Sequence, residues 1–185
     1  MGPSTRPLIS RKAIDQAVCR LGDQINTDFA GEPLTLVIVL KGAVFFGADL
    51  ARVLRMPVTM EFIRAQSYRG DQSSGQVTFR RLSDPIIADR NVLIVEDILD
   101  TGRTTAALFE DLRRQAPARL ALCTLLDKPD GRKVASEADY TGFQIPNYFV
   151  IGYGLDYNER YRELPAIHIM EEFPPSADVD RHEGR

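Results

Sequence analysis

The sequence predicts an α/β domain built on an open, mostly parallel twisted sheet flanked by helices. Three observations lead there. Short apolar runs at Thr35 to Leu40 (TLVIVL), Asn91 to Val95 (NVLIV) and Arg119 to Leu126 (RLALCTLL) read as strands covered on both faces, the mark of a parallel sheet. Stretches with helical apolar spacing separate them, and strand, helix, strand in that rhythm fits right-handed crossovers. A chain of 185 residues, 44% hydrophobic and 26% charged, supports one core and not two.

In chain order, residues Ala13 to Phe29 place Ile14, Ala17, Val18, Leu21, Ile25 and Phe29 on one helical face, with Ser10 as the cap. The first strand follows, bounded by Gly31-Glu32-Pro33 and Lys41-Gly42. Ala43 to Arg55 reads as a helix, and Val58 to Ile63 as a strand in which Val58, Met60 and Phe62 alternate. Ala65 to Phe79 is polar and rich in Gly and Ser, so a loop is expected. After the second apolar strand, Gly102 to Gln115 carries Thr104, Leu108 and Leu112 on one stripe. Asp127 to Lys133 reads as a charged turn. His168, among Ile167, Ile169 and Met170, reads as a packed strand residue, and neither it nor His182 has a ligand spacing. Residues 1–172 form the expected domain, and the tail 173–185 has too little to bury to be ordered.

Composition removes several functions. With 23 Lys+Arg against 26 Asp+Glu the formal charge is -3, which offers no global field for a polyphosphate, so nucleic acid is not expected as a partner. Cys19 and Cys123 stand far apart, which argues against a disulfide framework or a zinc site and for a reducing cytoplasm. No apolar run approaches the roughly 20 residues that span a bilayer, and the first residues lack a signal-peptide core. Neither membrane nor export is expected.

Chemistry concentrates in Val92 to Leu108 (VLIVEDILDTGRTTAAL), where an apolar strand runs into three acids and then Thr-Gly-x-Thr at a helix start. Amides there lack intrahelical partners and point along the positive end of the helix dipole. Gly102 allows close approach, and Thr101, Thr104 and Thr105 add hydroxyls. The pattern is not a Walker loop, since no GxxxxGK(S/T) occurs, and Gly152-x-Gly154 meets Tyr157 where a dinucleotide fingerprint needs a third glycine. Acids beside a phosphate repel it unless they receive sugar hydroxyls or a hard divalent cation, and a ribose phosphate with magnesium supplies both. The plain alternative is a strand-to-helix turn whose acids only cap the helix. Three acids in five positions, Glu96, Asp97 and Asp100, weigh against it.

The Glu-Asp-x-x-Asp-Thr-Gly-x-Thr form of this stretch resembles the phosphoribosyl-pyrophosphate signature of type I phosphoribosyltransferases, in particular the hypoxanthine-guanine branch. The likeness runs from about Leu8 to Met170. It implies that family's fold, with a small hood built from the N-terminal segment and about 127–172. It also implies that Glu96, Asp97, Asp100, Thr101, Gly102, Arg103, Thr104 and Thr105 hold the sugar phosphate. Leu40-Lys41-Gly42 resembles the pyrophosphate loop, whose peptide before the lysine can be cis; Lys41, Gly42 and Arg162 would bind pyrophosphate. Ser67-Tyr68 resembles the lid that excludes water. In Tyr148 to Arg162 the likeness places Phe149 on the base, Val150 and Leu155 around it, and Asp156 near its exocyclic position. Lys128 would donate to the 6-oxo group. Read singly, Lys41 and Arg162 are surface cations, Phe149 a core residue and Tyr68 a loop aromatic; the roles rest on the whole pattern. Arg103 and Gly154 fill variable positions, and the residues after Tyr68 (RGDQSSGQ) follow no interpretable pattern.

The resemblance implies transfer of the phosphoribosyl group from phosphoribosyl pyrophosphate to N9 of hypoxanthine, and of guanine, with Mg2+ held by Glu96, Asp97 and Asp156. Asp100 would take the N7 proton and is the expected catalytic residue. Small-molecule substrates and a homodimer or homotetramer are the implied partners. Other readings stay open: a regulatory relative that binds sugar phosphate and RNA, a catalytically silent binding protein, and a xanthine-preferring enzyme.

Overall fold

The computed structural model describes residues 4–67, 77–81 and 87–171. Strand β1 (Thr5–Ile9) leads into helix α1 (Arg11–Asp28), whose first turn is capped by Ser10 Oγ accepting from the Ala13 amide at 3.2 Å. The buried face of α1 is Ile14, Ala17, Val18, Leu21, Gly22 and Ile25, and Phe29 closes its end. Strand β2 (Leu34–Leu40), helix α2 (Val44–Val53) and strand β3 (Val58–Ser67) follow, then β4 (Val77–Arg81), β5 (Asn91–Leu99), α3 (Arg103–Arg113) and β6 (Arg119–Asp127). A 3₁₀ turn at Pro129–Gly131 precedes β7 (Tyr140–Gln144), β8 (Val150–Ile151) and β9 (Ile167–Met170).

The main sheet has the order β4-β3-β2-β5-β6-β7, parallel throughout except for the antiparallel edge strand β4. Leu36, Ile38, Leu93, Val95 and Leu122 are fully buried, as strands covered by helices on both faces require. From β2 the chain winds outward through β3, and from β5 it winds the opposite way through β6. The order therefore reverses between β2 and β5, and the carboxyl ends of those two strands open the crevice where such folds take ligands.

Three expectations change. The polar stretch from Ala65 to Phe79 is not all loop: Ala65 to Ser67 prolong β3, and Val77 to Phe79 belong to β4, paired from Ser67↔Val77 to Ile63↔Arg81. An edge strand tolerates polar residues that a central strand does not. The apolar run NVLIV understates β5, which continues through the acids to Leu99. Helix α3 buries Thr105, not Thr104, together with Leu108 and Leu112. Tyr68 and the rest of the expected lid, as well as the tail 173–185, lie outside the described residues. Ser67 is the last residue of β3.

A second sheet, antiparallel in the order β1-β9-β8, joins the N-terminal strand to the end of the domain. Strand β7, within the stretch expected to form the hood, instead pairs with β6 at the edge of the main sheet. His168 is half-buried in β9, opposite Pro7 and Ile151. Between β8 and β9, the turn at Gly152 to Leu155 is tied down by Tyr153. Its hydroxyl donates to Asp49 Oδ2 at 2.8 Å, and the Arg11 guanidinium, bonded to the same oxygen at 2.9 Å, lies 5.3 Å over its ring. That anchor fixes the second sheet's connection against α1 and α2. No helix among the described residues is long and apolar enough to cross a membrane.

Candidate active site

The turn that opens α3 is shaped by its backbone. Gly102 takes the N-cap position with φ +79 and no side-chain cap, and its carbonyl accepts from the Ala106 amide at 2.9 Å. A β-carbon there would approach the Val134 carbonyl oxygen to 2.7 Å in a conformation that L residues avoid, so glycine is required twice over. The Thr101 carbonyl accepts from the amides of Lys133 and Val134 at 3.0 and 3.1 Å, which clamps the turn to the segment after β6. With no side chain capping them, the first amides of α3 remain available to an anion, as the sequence pattern requires. Thr101 and Thr104 are partly exposed beside them, Arg103 is exposed, and Thr105 is buried under the turn.

Asp100 sits at the mouth of this turn. Its Oδ2 is 3.8 Å from the ammonium of Lys128, whose residue is only 6% exposed although its side chain is charged. Burial pushes the Lys128 ammonium below its ordinary value, and Asp100 works in the opposite direction. The Lys128 amide donates to the Leu99 carbonyl at 3.0 Å, so the ends of β5 and β6 hold acid and base side by side. This pair is the part of the expected site that the fold brings together most directly.

Glu96 and Asp97 lie one turn of chain earlier, on the last part of β5. Glu96 is buried, and its carboxyl is raised well above the ordinary range, first by burial and then by Asp97. Asp97 is pushed up to about 6, mainly by burial, against the stabilising bond that its Oδ1 accepts from the Ile98 amide at 3.0 Å. Gly42 packs its backbone directly on the Asp97 carboxylate, leaving no room for a β-carbon. Two adjacent carboxylates that resist ionisation at a strand end are what a hard cation relieves. Asp156 is near enough to Asp97 to raise its pKa further. Among the described residues, however, no three acids, histidines or cysteines group closely enough to cage a metal by themselves. Mg2+ commonly takes one or two carboxylates and completes its shell with water and substrate phosphate, so the donor set fits that ion.

Opposite, the Leu40–Lys41 peptide is cis. Lys41 Nζ bonds Glu159 Oε2 at 2.6 Å. Arg162 donates to the Gly154 carbonyl at 2.7 Å, pairs with Asp156 Oδ1 at 2.8 Å and reaches Glu159 Oε2 at 3.4 Å. The two cations expected to meet pyrophosphate thus converge, although they are far apart in sequence.

On the remaining side, Phe149 is 43% exposed and meets Tyr157 edge-on, with centroids 5.9 Å apart at 87°. It is therefore not a core aromatic, contrary to the reading of that residue taken singly. Val150 is buried in β8, paired with Ile169, and Leu155 is buried in the core. A separate cavity of about 610 Å³, lined by Asp127, Pro129, Arg132, Ser136, Glu137 and Gln144, contains none of the expected site residues. Sequence reasoning missed Glu159 and Tyr153. Each acts through a partner more than a hundred positions away, and no local pattern announces that.

Comparison with known proteins shows the family. The model of the phosphoribosyl transferase domain family matches residues 9–158. The chain is 44% identical over 166 residues to the hypoxanthine-guanine phosphoribosyltransferase of Streptococcus pneumoniae, covering 89% of this chain and 92% of that one. It is 43% identical over 171 residues to the enzyme of the same name from Mycobacterium tuberculosis, covering 89% and 85%. Among solved structures, a hypoxanthine-guanine phosphoribosyltransferase from Bacillus anthracis superposes with a TM-score of 0.84 at 42% identity, covering 92% of this chain and 99% of the other. A hypoxanthine phosphoribosyl transferase from Trypanosoma cruzi gives 0.86 at 40%, covering 92% and 93%.

Proposed function

The chain belongs to the phosphoribosyl transferase domain family, and from that premise we propose that it transfers the 5-phosphoribosyl group of phosphoribosyl pyrophosphate to N9 of hypoxanthine, and of guanine. The products are IMP or GMP and pyrophosphate. The observation that carries the choice of base is the Asp100–Lys128 pair at 3.8 Å beside the uncapped start of α3. An ammonium suits the 6-oxo oxygen of such a purine, and a carboxylate suits the N7 proton next to it.

In this reading the amides that open α3, with Thr101 and Thr104, hold the 5′-phosphate, and Arg103 stands exposed beside them. Phe149 stacks on the base, and Val150 and Leu155 shape the wall behind it. The bond from C1′ to the pyrophosphate oxygen breaks while N9 bonds to C1′, and the electron pair leaves with pyrophosphate. Glu96 and Asp97 lie where ribose hydroxyls and positive charge at C1′ are stabilised, and Lys41 and Arg162 receive the departing charge. Asp100 accepts the N7 proton, which restores a neutral purine. Glu96, Asp97 and Asp156 are the residues that would hold Mg2+, which when bound neutralises phosphate charge.

A cytoplasmic location suits the exposed free thiol of Cys19. A homodimer or homotetramer is the assembly proposed, checked by light scattering on a sizing column. The reaction is tested by measuring pyrophosphate release with Mg2+ and the activated sugar, offering hypoxanthine, guanine, xanthine, adenine and uracil in turn. Release with hypoxanthine and guanine is expected. Release with none would leave a binding protein, and release chiefly with xanthine would reassign the base.

A further inference from the structure

We propose that Glu159 is a positioning residue that stands in for the leaving group: its carboxylate occupies the anion position between Lys41 and Arg162 while the cleft is empty, and moves out when pyrophosphate arrives. The inference rests on the reading that these two cations bind pyrophosphate. A single atom, Glu159 Oε2, is shared by Lys41 Nζ at 2.6 Å and by Arg162 at 3.4 Å, as one oxygen of a phosphate would be. The contact spans the cleft, since Lys41 directly follows β2 while Glu159 lies on the connection between β8 and β9.

The backbone supports the same conclusion. Tyr157 and Arg160 exchange amide-to-carbonyl bonds of 3.1 Å in both directions, and the two residues between them, Asn158 and Glu159, have φ of +51 and +61. Two consecutive left-handed residues are the pattern of a type I′ turn, where asparagine followed by glycine is the relaxed choice. Nothing in the turn calls for glutamate at the second position, and a left-handed glutamate is strained. Its carboxylate accounts for its presence.

The design also permits departure. The Glu159 side chain is 61% exposed and that of Lys41 is 48% exposed, so the pair is screened by water and weak enough to exchange. Arg162 keeps the Gly154 carbonyl and Asp156 when Glu159 leaves, so the guanidinium stays aimed. Glu159 thus holds Lys41 toward the anion position before substrate binds, and competes with product pyrophosphate afterwards.

The test titrates pyrophosphate with Mg2+ into the wild type, Glu159→Gln, Glu159→Ala, Lys41→Gln and the Lys41→Gln/Glu159→Gln double variant, with IMP titrated in parallel. Both Glu159 variants are expected to bind pyrophosphate about twofold to tenfold more tightly, with a matching fall in KM for phosphoribosyl pyrophosphate. IMP affinity and KM for hypoxanthine should not move, and the gain should shrink in the Lys41→Gln background. Unchanged or weaker pyrophosphate binding in both Glu159 variants, while Lys41→Gln weakens it, overturns the stand-in and leaves the pyrophosphate site intact. Loss of IMP affinity in the Glu159 variants would mark a structural role and also overturn it. If Lys41→Gln binds pyrophosphate as tightly as wild type, the site assignment falls, and the proposal with it.

Discussion

The corner at the start of α3 and the corner around Arg162, the two anion sites of the proposed reaction, are built differently. The first is made of backbone: uncapped amides, a left-handed Gly102 and the Thr101 carbonyl held by the amides of Lys133 and Val134. The second is made of long side chains, Lys41 and Arg162, already joined through Glu159, with Arg162 also paired to Asp156. A backbone site is organised before its ligand comes and needs no displacement. A side-chain site must exchange one set of ionic contacts for another, which suits the group that has to leave.

That contrast can be broken most severely at Asp100, which in the proposed reaction links the backbone corner to the base. Asp100→Asn should lower turnover by about 10²- to 10⁴-fold, the usual worth of a general base, while IMP still binds. Unchanged turnover in a pyrophosphate-release assay would remove Asp100 from that role. Lys128→Gln removes the charged donor and should raise KM for hypoxanthine by roughly 10- to 100-fold, since a hydrogen bond to a charged group is worth about 1.5–3 kcal/mol. Binding of phosphoribosyl pyrophosphate should be spared, and an equal loss for both substrates would contradict the assignment.

Gly102→Ala tests the backbone corner itself. A methyl group at φ +79 and 2.7 Å from the Val134 oxygen should cost about 1–3 kcal/mol in thermal unfolding and weaken IMP more than pyrophosphate. An alanine variant with wild-type IMP affinity would show that the turn is not the phosphate holder.

The smallest effect is expected at Asp97, between the two corners. Its carboxyl is raised to about 6 in the folded protein, so the folded state takes up a proton more readily than the unfolded chain. The stability this contributes is present below the ordinary carboxylate range and lost as pH rises through about 6. In metal-free protein, Asp97→Asn should flatten that decline and add on the order of 1 kcal/mol near neutral pH. Denaturant midpoints across pH 4 to 8 with parallel slopes for the two proteins would contradict it.

The same contrast explains what was legible in the sequence. Glu96 to Thr105 are contiguous, and the chemistry of an acid-rich strand end running into an uncapped helix can be read from ten neighbouring residues. The central strands and α1 were legible for a similar reason: burial on both faces or on one stripe leaves a periodic trace. Strand β4 and the end of β3 left none, because a five-residue edge strand paired on one side is too short and too polar to stand out from a loop. The bonds of Glu159 to Lys41 and of Tyr153 to Asp49 left none either, since they depend on how two sheets are set against each other. Pairing of distant surface charges has no period and no spacing to detect.

The most direct test of the central claim is a crystal structure with IMP bound. The 5′-phosphate should lie on the amides that open α3, with the purine on Phe149, its 6-oxo oxygen on Lys128 and N7 facing Asp100. A phosphate lodged between Lys41 and Arg162 with the start of α3 untouched would contradict the assignment of the two corners.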